Sequence, residues 1–123
     1  MRIFLLMILL HILDDFVLQG VCLNKLKQKE FWKDYISETN KLYKYDYIMA
    51  LFIHSLSWSL MIHLPLFLTN VSNVFLLISI LINAIIHSIV DDLKANKKKI
   101  NLITDQIIHF IQIIAVFLFF IFL

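Results

Sequence analysis

Four continuous apolar blocks, at about residues 3–23, 47–68, 74–94 and 102–123, leave this chain few ways to fold. Each approaches the roughly 20 residues of helix that cross a hydrocarbon core. Strands of a membrane barrel would alternate apolar and polar positions, whereas these blocks are unbroken and contain almost no turn residues, with one Gly and one Pro in the chain. A hydrophobic share of 61% and a mean hydropathy of +0.86 lie outside the range of soluble globular domains. The expected fold is all-α: a polytopic membrane protein forming one domain over 1–123, a four-transmembrane-helix bundle.

The first block begins behind Arg2 like a secretory leader, but it runs on through His11, Asp14 and Asp15 into another apolar turn without a small-residue cleavage site, so it is read as a membrane helix. Cys22 is the only cysteine and is read as a packing residue. Ten of the eleven basic residues lie in the first loop, 24–46, or around the third-to-fourth connection. Excess Lys and Arg mark cytoplasmic loops, which places both connections inside and both termini outside. Interleaved Glu30, Asp34, Glu38 and Asp46 argue against nucleic acid as the partner of these lysines. Attraction to anionic headgroups of the lipid bilayer accounts for them.

Within loop 24–46, Leu26, Phe31, Trp32, Tyr35 and Ile36 alternate with lysines, which predicts a short amphipathic helix at the interface. Trp32, Tyr35, Tyr43, Tyr45 and Tyr47 suit an aromatic belt, and a lid over a cytoplasm-facing site is the sharper alternative. The short 95–101 link makes the last two helices antiparallel neighbours.

Polar residues interrupt the apolar blocks at helical spacing: His11, Asp15, Gln19 and Cys22; Asn83, His87, Asp91 and Lys94; Asn101, Asp105, His109 and Gln112. Each set advances by four, four and three positions, which keeps it on one helix face. A charged side chain in mid-membrane costs about 2.5 to 3.5 kcal/mol on insertion scales, so such residues need partners. Asp14, about 100° from Asp15 on the wheel, is expected to face elsewhere. His54 and His63 point to opposite sides of the second helix; His54 is assigned to the interior cluster and His63 to an interfacial or packing role.

Helices one and three run inward and read His then Asp, whereas helix four runs outward and reads Asp then His. Every carboxylate thus lies one turn nearer the cytoplasm than its imidazole. Asp15, His54, His87 and His109 fall roughly 10 to 12 Å deep, with Asp91 and Asp105 shallower and His11 deeper. His11, Asp15, His54, His87, Asp91, Asp105 and His109 are the candidate ligands of a divalent metal: zinc, iron or manganese, as one or two ions. Gln19 and Gln106 are candidates to orient ligands or substrate, and Lys25 and Lys94 to attract an anion at the mouth.

His11, Asp15 and Gln19 with Lys25 downstream, His54, the His87 to Lys94 segment and the Asp105 to His109 segment together resemble small bacterial and phage membrane proteins grouped as domain of unknown function 3307. The resemblance spans nearly the whole chain. It implies a multi-pass protein of the bacterial inner (cytoplasmic) membrane and carries no established activity. The chain is also similar, more loosely, to inner-membrane proteins described as metal-dependent hydrolases.

The reading that follows is a metal-dependent hydrolase near the cytoplasmic leaflet, acting on a phosphoester or lipid-linked substrate such as an anionic lipid. A proton or ion carrier using the His/Asp relay is the alternative, although the polar stripes fade toward the outer side. A structural or interaction membrane protein, whose polar network serves only assembly, is the third reading. An oligomer is compatible with all three.

Overall fold

The computed structural model describes residues 1–39 and 41–123, and among them it holds helices and no strand. Helix α1 spans Arg2–Leu13 and continues as a π-helical turn over Asp14–Leu18. Helices α2 (Gly20–Leu26), α3 (Asp46–His63), α4 (Asn73–Ala95) and α5 (Leu102–Ile121) follow. Three stretches, Asp46–Leu68, Asn73–Ala95 and Leu102–Ile121, are long and apolar enough to cross a membrane, and the bent pair Arg2–Leu18 with Gly20–Leu26 makes a fourth if counted as one span. α1 packs on α3 and α5, α3 on α4, and α4 on α5, which closes a ring of four rods.

The first block is not one straight helix over 3–23. At Asp14–Leu18 the Gln19 N–H donates to the Asp14 carbonyl at 2.9 Å, a five-residue step that inserts one extra residue into the turn. The chain then bends by 81° between Leu18 and Gly20. Gly20 has φ +58°, a left-handed conformation that costs other residues roughly 1–2 kcal/mol. A Cβ built there would meet nothing within 4 Å, so Gly20→Ala isolates backbone strain from crowding. The variant is expected to lose about 1–2 kcal/mol of stability, read as a lower midpoint in detergent unfolding.

The loop after α2 also departs from expectation. Instead of an amphipathic helix it forms a single 3-10 turn, Lys33–Tyr35. Its aromatic rings find partners in one another: Trp32 stacks on Tyr43 at 5.9 Å between centroids, and Phe31 and Tyr35 pack at the edges. The Trp32 indole N–H donates to the Leu26 carbonyl at 2.9 Å. On the exposed side, the Lys33 ammonium beside Glu30 holds that carboxyl below the usual range. Asn96 ties this loop to the α4–α5 hairpin, its Oδ1 accepting from the Lys29 N–H at 2.7 Å and its amide donating to the Lys27 carbonyl at 3.0 Å.

The second block tightens into a 3-10 turn over Leu64–Leu68, where Pro65 supplies no N–H for a longer helix. Asn101 was read above as part of the inward stripe of α5. It is the helix cap instead, exposed, its Oδ1 accepting from the Thr104 N–H at 2.9 Å.

The interior has two halves. At the α1 N-terminal end, Met7, Trp58, Ile62, Leu66, Leu76, Ile113, Val116 and Phe120 form an apolar core. At the other end the buried side chains include His11, Asp14, Lys27, His54, His87, Asp91, Asp105 and His109, with Ala50, Leu51, Ala84 and Val90 as apolar neighbours along α3 and α4. Meanwhile Ile85, Ile89, Ile103, Ile107 and Ile111 are exposed. Polar residues within and isoleucines without is the reverse of a soluble domain, where contiguous apolar surface is limited.

Candidate metal centre

His87 and Asp91 lie one turn apart on α4, and Asp105 and His109 one turn apart on α5, so each helix presents an imidazole and a carboxylate to the same interior layer. His54 projects from α3 into the middle of that layer. Its Nε2 is 3.2 Å from His87 Nε2, 3.5 Å from Asp15 Oδ1 and 3.6 Å from Asp91 Oδ2. Two groups have ligand atoms all within 4.8 Å of one another: Asp15, His54 and His87; and His87, Asp91 and His109. His87 belongs to both. Its ring stacks on His109 at 4.1 Å and on Trp58 at 4.2 Å between centroids.

Asp105 and His11 stand beside these groups. Asp105 Oδ1 is 3.3 Å from His109 Nε2, and its Oδ2 accepts from Lys94 Nζ at 2.6 Å. His11 has both nitrogens engaged: the Trp58 indole donates to its Nδ1 at 2.7 Å, and its Nε2 meets Gln106 Oε1 at 3.2 Å. Because an indole N–H only donates, His11 Nδ1 is the acceptor and Nε2 carries the proton toward Gln106. The Gln106 amide in turn donates to Asp15 Oδ2 at 3.2 Å. His11 and Gln106 therefore form a brace that holds Asp15.

The expectation that Asp14 faces away from Asp15 is overturned. Asp14 is buried, accepts from the Ser57 hydroxyl at 2.7 Å, and brings its Oδ2 to 3.6 Å from His54 Nδ1. The π-helical turn is the cause, since widening the helix at Asp14–Leu18 lets adjacent residues both reach the interior. The lysine at the site also differs. Lys25 is exposed on α2, whereas Lys27 is buried and bonded to Asp91. Lys94 bridges Asp91 Oδ1 at 3.0 Å and Asp105. With its amide oriented to suit both neighbours, Gln19 donates to the Asp15 carbonyl at 3.0 Å and accepts from Lys27. His63 is buried in packing contacts with Ser59 and Ser79, apart from the cluster. The adjacent Asp14-Asp15 pair was a visible signal for one missed residue; nothing in the lysine-rich loop singled out Lys27.

Charge accounting sets the chemistry. The layer holds the carboxylates of Asp14, Asp15, Asp91 and Asp105 against the ammonium groups of Lys27 and Lys94. Counted with every carboxylate ionised and every imidazole neutral, the layer is two positive charges short, a difference that one divalent cation or two protons would make up. In addition, Asp14 Oδ2, Asp15 Oδ1, His54 Nδ1, His87 Nδ1, Asp105 Oδ1 and His109 Nε2 are buried without a hydrogen bond among the described residues. Unpaired buried charge and unbonded polar atoms are costly, and both are relieved by a cation that accepts N and O donors.

Trp58 forms the partition between this layer and the apolar core. Trp58→Phe keeps a ring to stack on His87 but leaves His11 Nδ1 without its donor. The variant is expected to lose roughly 1–3 kcal/mol, measurable as a lower unfolding midpoint.

The family described as "Protein of unknown function (DUF3307)" matches residues 3–123, so the chain belongs to that family. No curated protein and no solved structure matches it.

Proposed function

We propose that this member of the DUF3307 family is an intramembrane metalloprotein that binds a divalent cation in its His/Asp layer and acts as a metal-dependent hydrolase of the phosphoester class. The observation that carries the reading is the convergence of donor atoms, with Asp15, His54 and His87, and His87, Asp91 and His109, each lying within 4.8 Å of one another. Imidazole and carboxylate donors without thiolate suit zinc, iron or manganese. The two groups share His87, whose neutral ring offers one nitrogen to a metal, so a second ion would draw on Asp14 or Asp105 in its place.

When bound, such a metal lowers the pKa of a coordinated water and polarises a phosphoryl oxygen. The chain's own residues have separate tasks. His54, His87, His109, Asp15 and Asp91 supply donors, and Gln106 with His11 fixes the orientation of Asp15. Asp14, whose Oδ2 carries no hydrogen bond, is available to take up a proton. Lys27, buried against Asp91, and Lys94, between Asp91 and Asp105, hold positive charge beside the donors. In this reading the lysine-rich loops face the cytoplasm of a bacterial inner membrane and the termini face outward.

Elemental mass spectrometry on detergent-purified protein tests the proposal, beside a His87→Ala/Asp105→Ala variant of matching helicity. Wild-type protein is expected to carry one or two ions per chain and the variant none. Absence of metal from both after reloading would sink the metal reading. Proton flux in proteoliposomes, abolished by Asp105→Asn, would then favour the relay, because two protons balance the same charges.

A further inference from the structure

The bend at Gly20 opens a cleft of about 370 Å³ between the end of α1, α2 and the start of α5. Its rim is apolar and exposed: Phe16, Val21 and Leu102. Its floor is polar, formed by Asp15, Gln19 and Gln106, and so it meets the metal layer directly. Behind Gln19 lies Lys27, and across Asp91 from it lies Lys94. A second, larger cleft of about 580 Å³ between α4 and α5 is lined mostly by apolar residues, its polar ones being Ser79, Asn83 and Gln112, of which Gln112 bonds to His109.

We propose that the elbow cleft is the substrate site, and that it takes a phosphate monoester carried on a membrane-embedded lipid, with the phosphoryl group held by Lys27 and Lys94 and the chain leaving over Phe16, Val21 and Leu102. The inference rests on the metal reading above and deepens it. Charge selects the ligand. A phosphate oxygen can share with Asp15 an ion held at the cleft floor, and the ammonium groups of Lys27 and Lys94 are the cations beside that floor. Once metal engages Asp91, Lys27 is released from its present partner and is free to bind the anion.

The rim selects the carrier. A soluble phosphoester gains nothing from three exposed apolar side chains beside a polar floor, whereas an amphiphile lays its chain against them and keeps its head at the metal. The 81° bend carries α2 off the axis of α1 beside this opening, so Phe16 and Val21 border it from either side of the bend.

The test uses the full chain, loaded with manganese or zinc in detergent micelles, with metal stoichiometry measured on every sample. Native mass spectrometry would compare short-chain phosphatidic acid, phosphatidylcholine of the same chain length, and inorganic phosphate as competitor. Phosphatidic acid is expected to bind at least about tenfold more tightly than phosphatidylcholine and to resist displacement by equimolar phosphate. Lys27→Met should erase that preference. Should Lys27→Met fold poorly, Leu102→Asp serves instead: a carboxylate in the first turn of a helix is tolerated there but repels an anion at the rim. Metal-loaded protein that binds both lipids equally, or a preference unchanged in Leu102→Asp, would overturn the lipid site while leaving the metal centre standing. Displacement by equimolar inorganic phosphate would reassign the cleft to soluble phosphoesters. Failure of the wild type to hold metal would remove both proposals together.

Discussion

Metal-free Lys27→Met protein is expected to be less stable than wild type by ~3–5 kcal/mol, the cost of stranding one partner of a buried ion pair. Lys27 and Asp91 are each 1% exposed, so neither water nor headgroups can replace the lost ammonium. Lys94 remains on Asp91 Oδ1 but is shared with Asp105 and cannot serve both fully. Two controls separate this from a general effect of losing a lysine. Lys25→Met, at an exposed site two residues away, should change stability by no more than about 0.5 kcal/mol. The double variant Lys27→Met/Asp91→Asn should recover much of the loss, because it removes both charges at once. Denaturant midpoints in detergent, followed by tryptophan fluorescence, give all three values. A Lys27→Met midpoint equal to wild type would mean that the pair is not formed in the folded protein.

The second large effect is stabilisation by metal. A ligand that binds only the folded state at 1,000 times its Kd adds about 4 kcal/mol. Zinc or manganese at saturating concentration should therefore raise the unfolding midpoint of the wild type by several degrees. His87→Ala should show no such rise, since His87 contributes to both candidate groups and its loss leaves neither with more than two of its donors. His63→Ala is the matched control. That imidazole is equally buried, but its nitrogens are held by Ser59 and Ser79, away from the cluster. Its variant should be destabilised yet still respond to metal. If His63→Ala and His87→Ala lose the response alike, the rise reports general helix tightening and not a site.

Much of this arrangement was legible in residue spacing. Steps of four placed His87 with Asp91 and Asp105 with His109, and counting depth from the loop ends brought His54 and Asp15 to the same layer. Periodicity assumes a regular helix, however, and it failed where the helix is irregular. The π-helical turn at Asp14–Leu18 turned Asp14 inward, against the wheel, and the left-handed Gly20 ended the straight run that composition alone predicted. Lys27 was missed for a related reason. Which lysine of a charged loop folds back into a bundle is decided by where the chain turns and by a tertiary anchor such as Asn96, and neither is written in local pattern. The amphipathic helix expected in the loop gave way to ring-on-ring contacts among Trp32, Tyr35 and Tyr43 that a helical wheel does not represent. His11 shows the opposite case. It was found by spacing as a ligand, but its contacts with Trp58 and Gln106 make it a brace for Asp15.

The indole of Trp58 has an electrical consequence in the proposed membrane setting. It lies between the polar layer and the apolar core of Met7 and Ile113, so the layer ends on an aromatic ring over that part of its boundary. A cation entering from the lysine side stops roughly 10 to 12 Å in, about a third of the way across a hydrocarbon core. A divalent ion halted there would sense only about 1.5 kcal/mol per 100 mV of transmembrane voltage. Occupancy of such a site would therefore shift by little more than tenfold for each 100 mV by which a cell charges or depolarises.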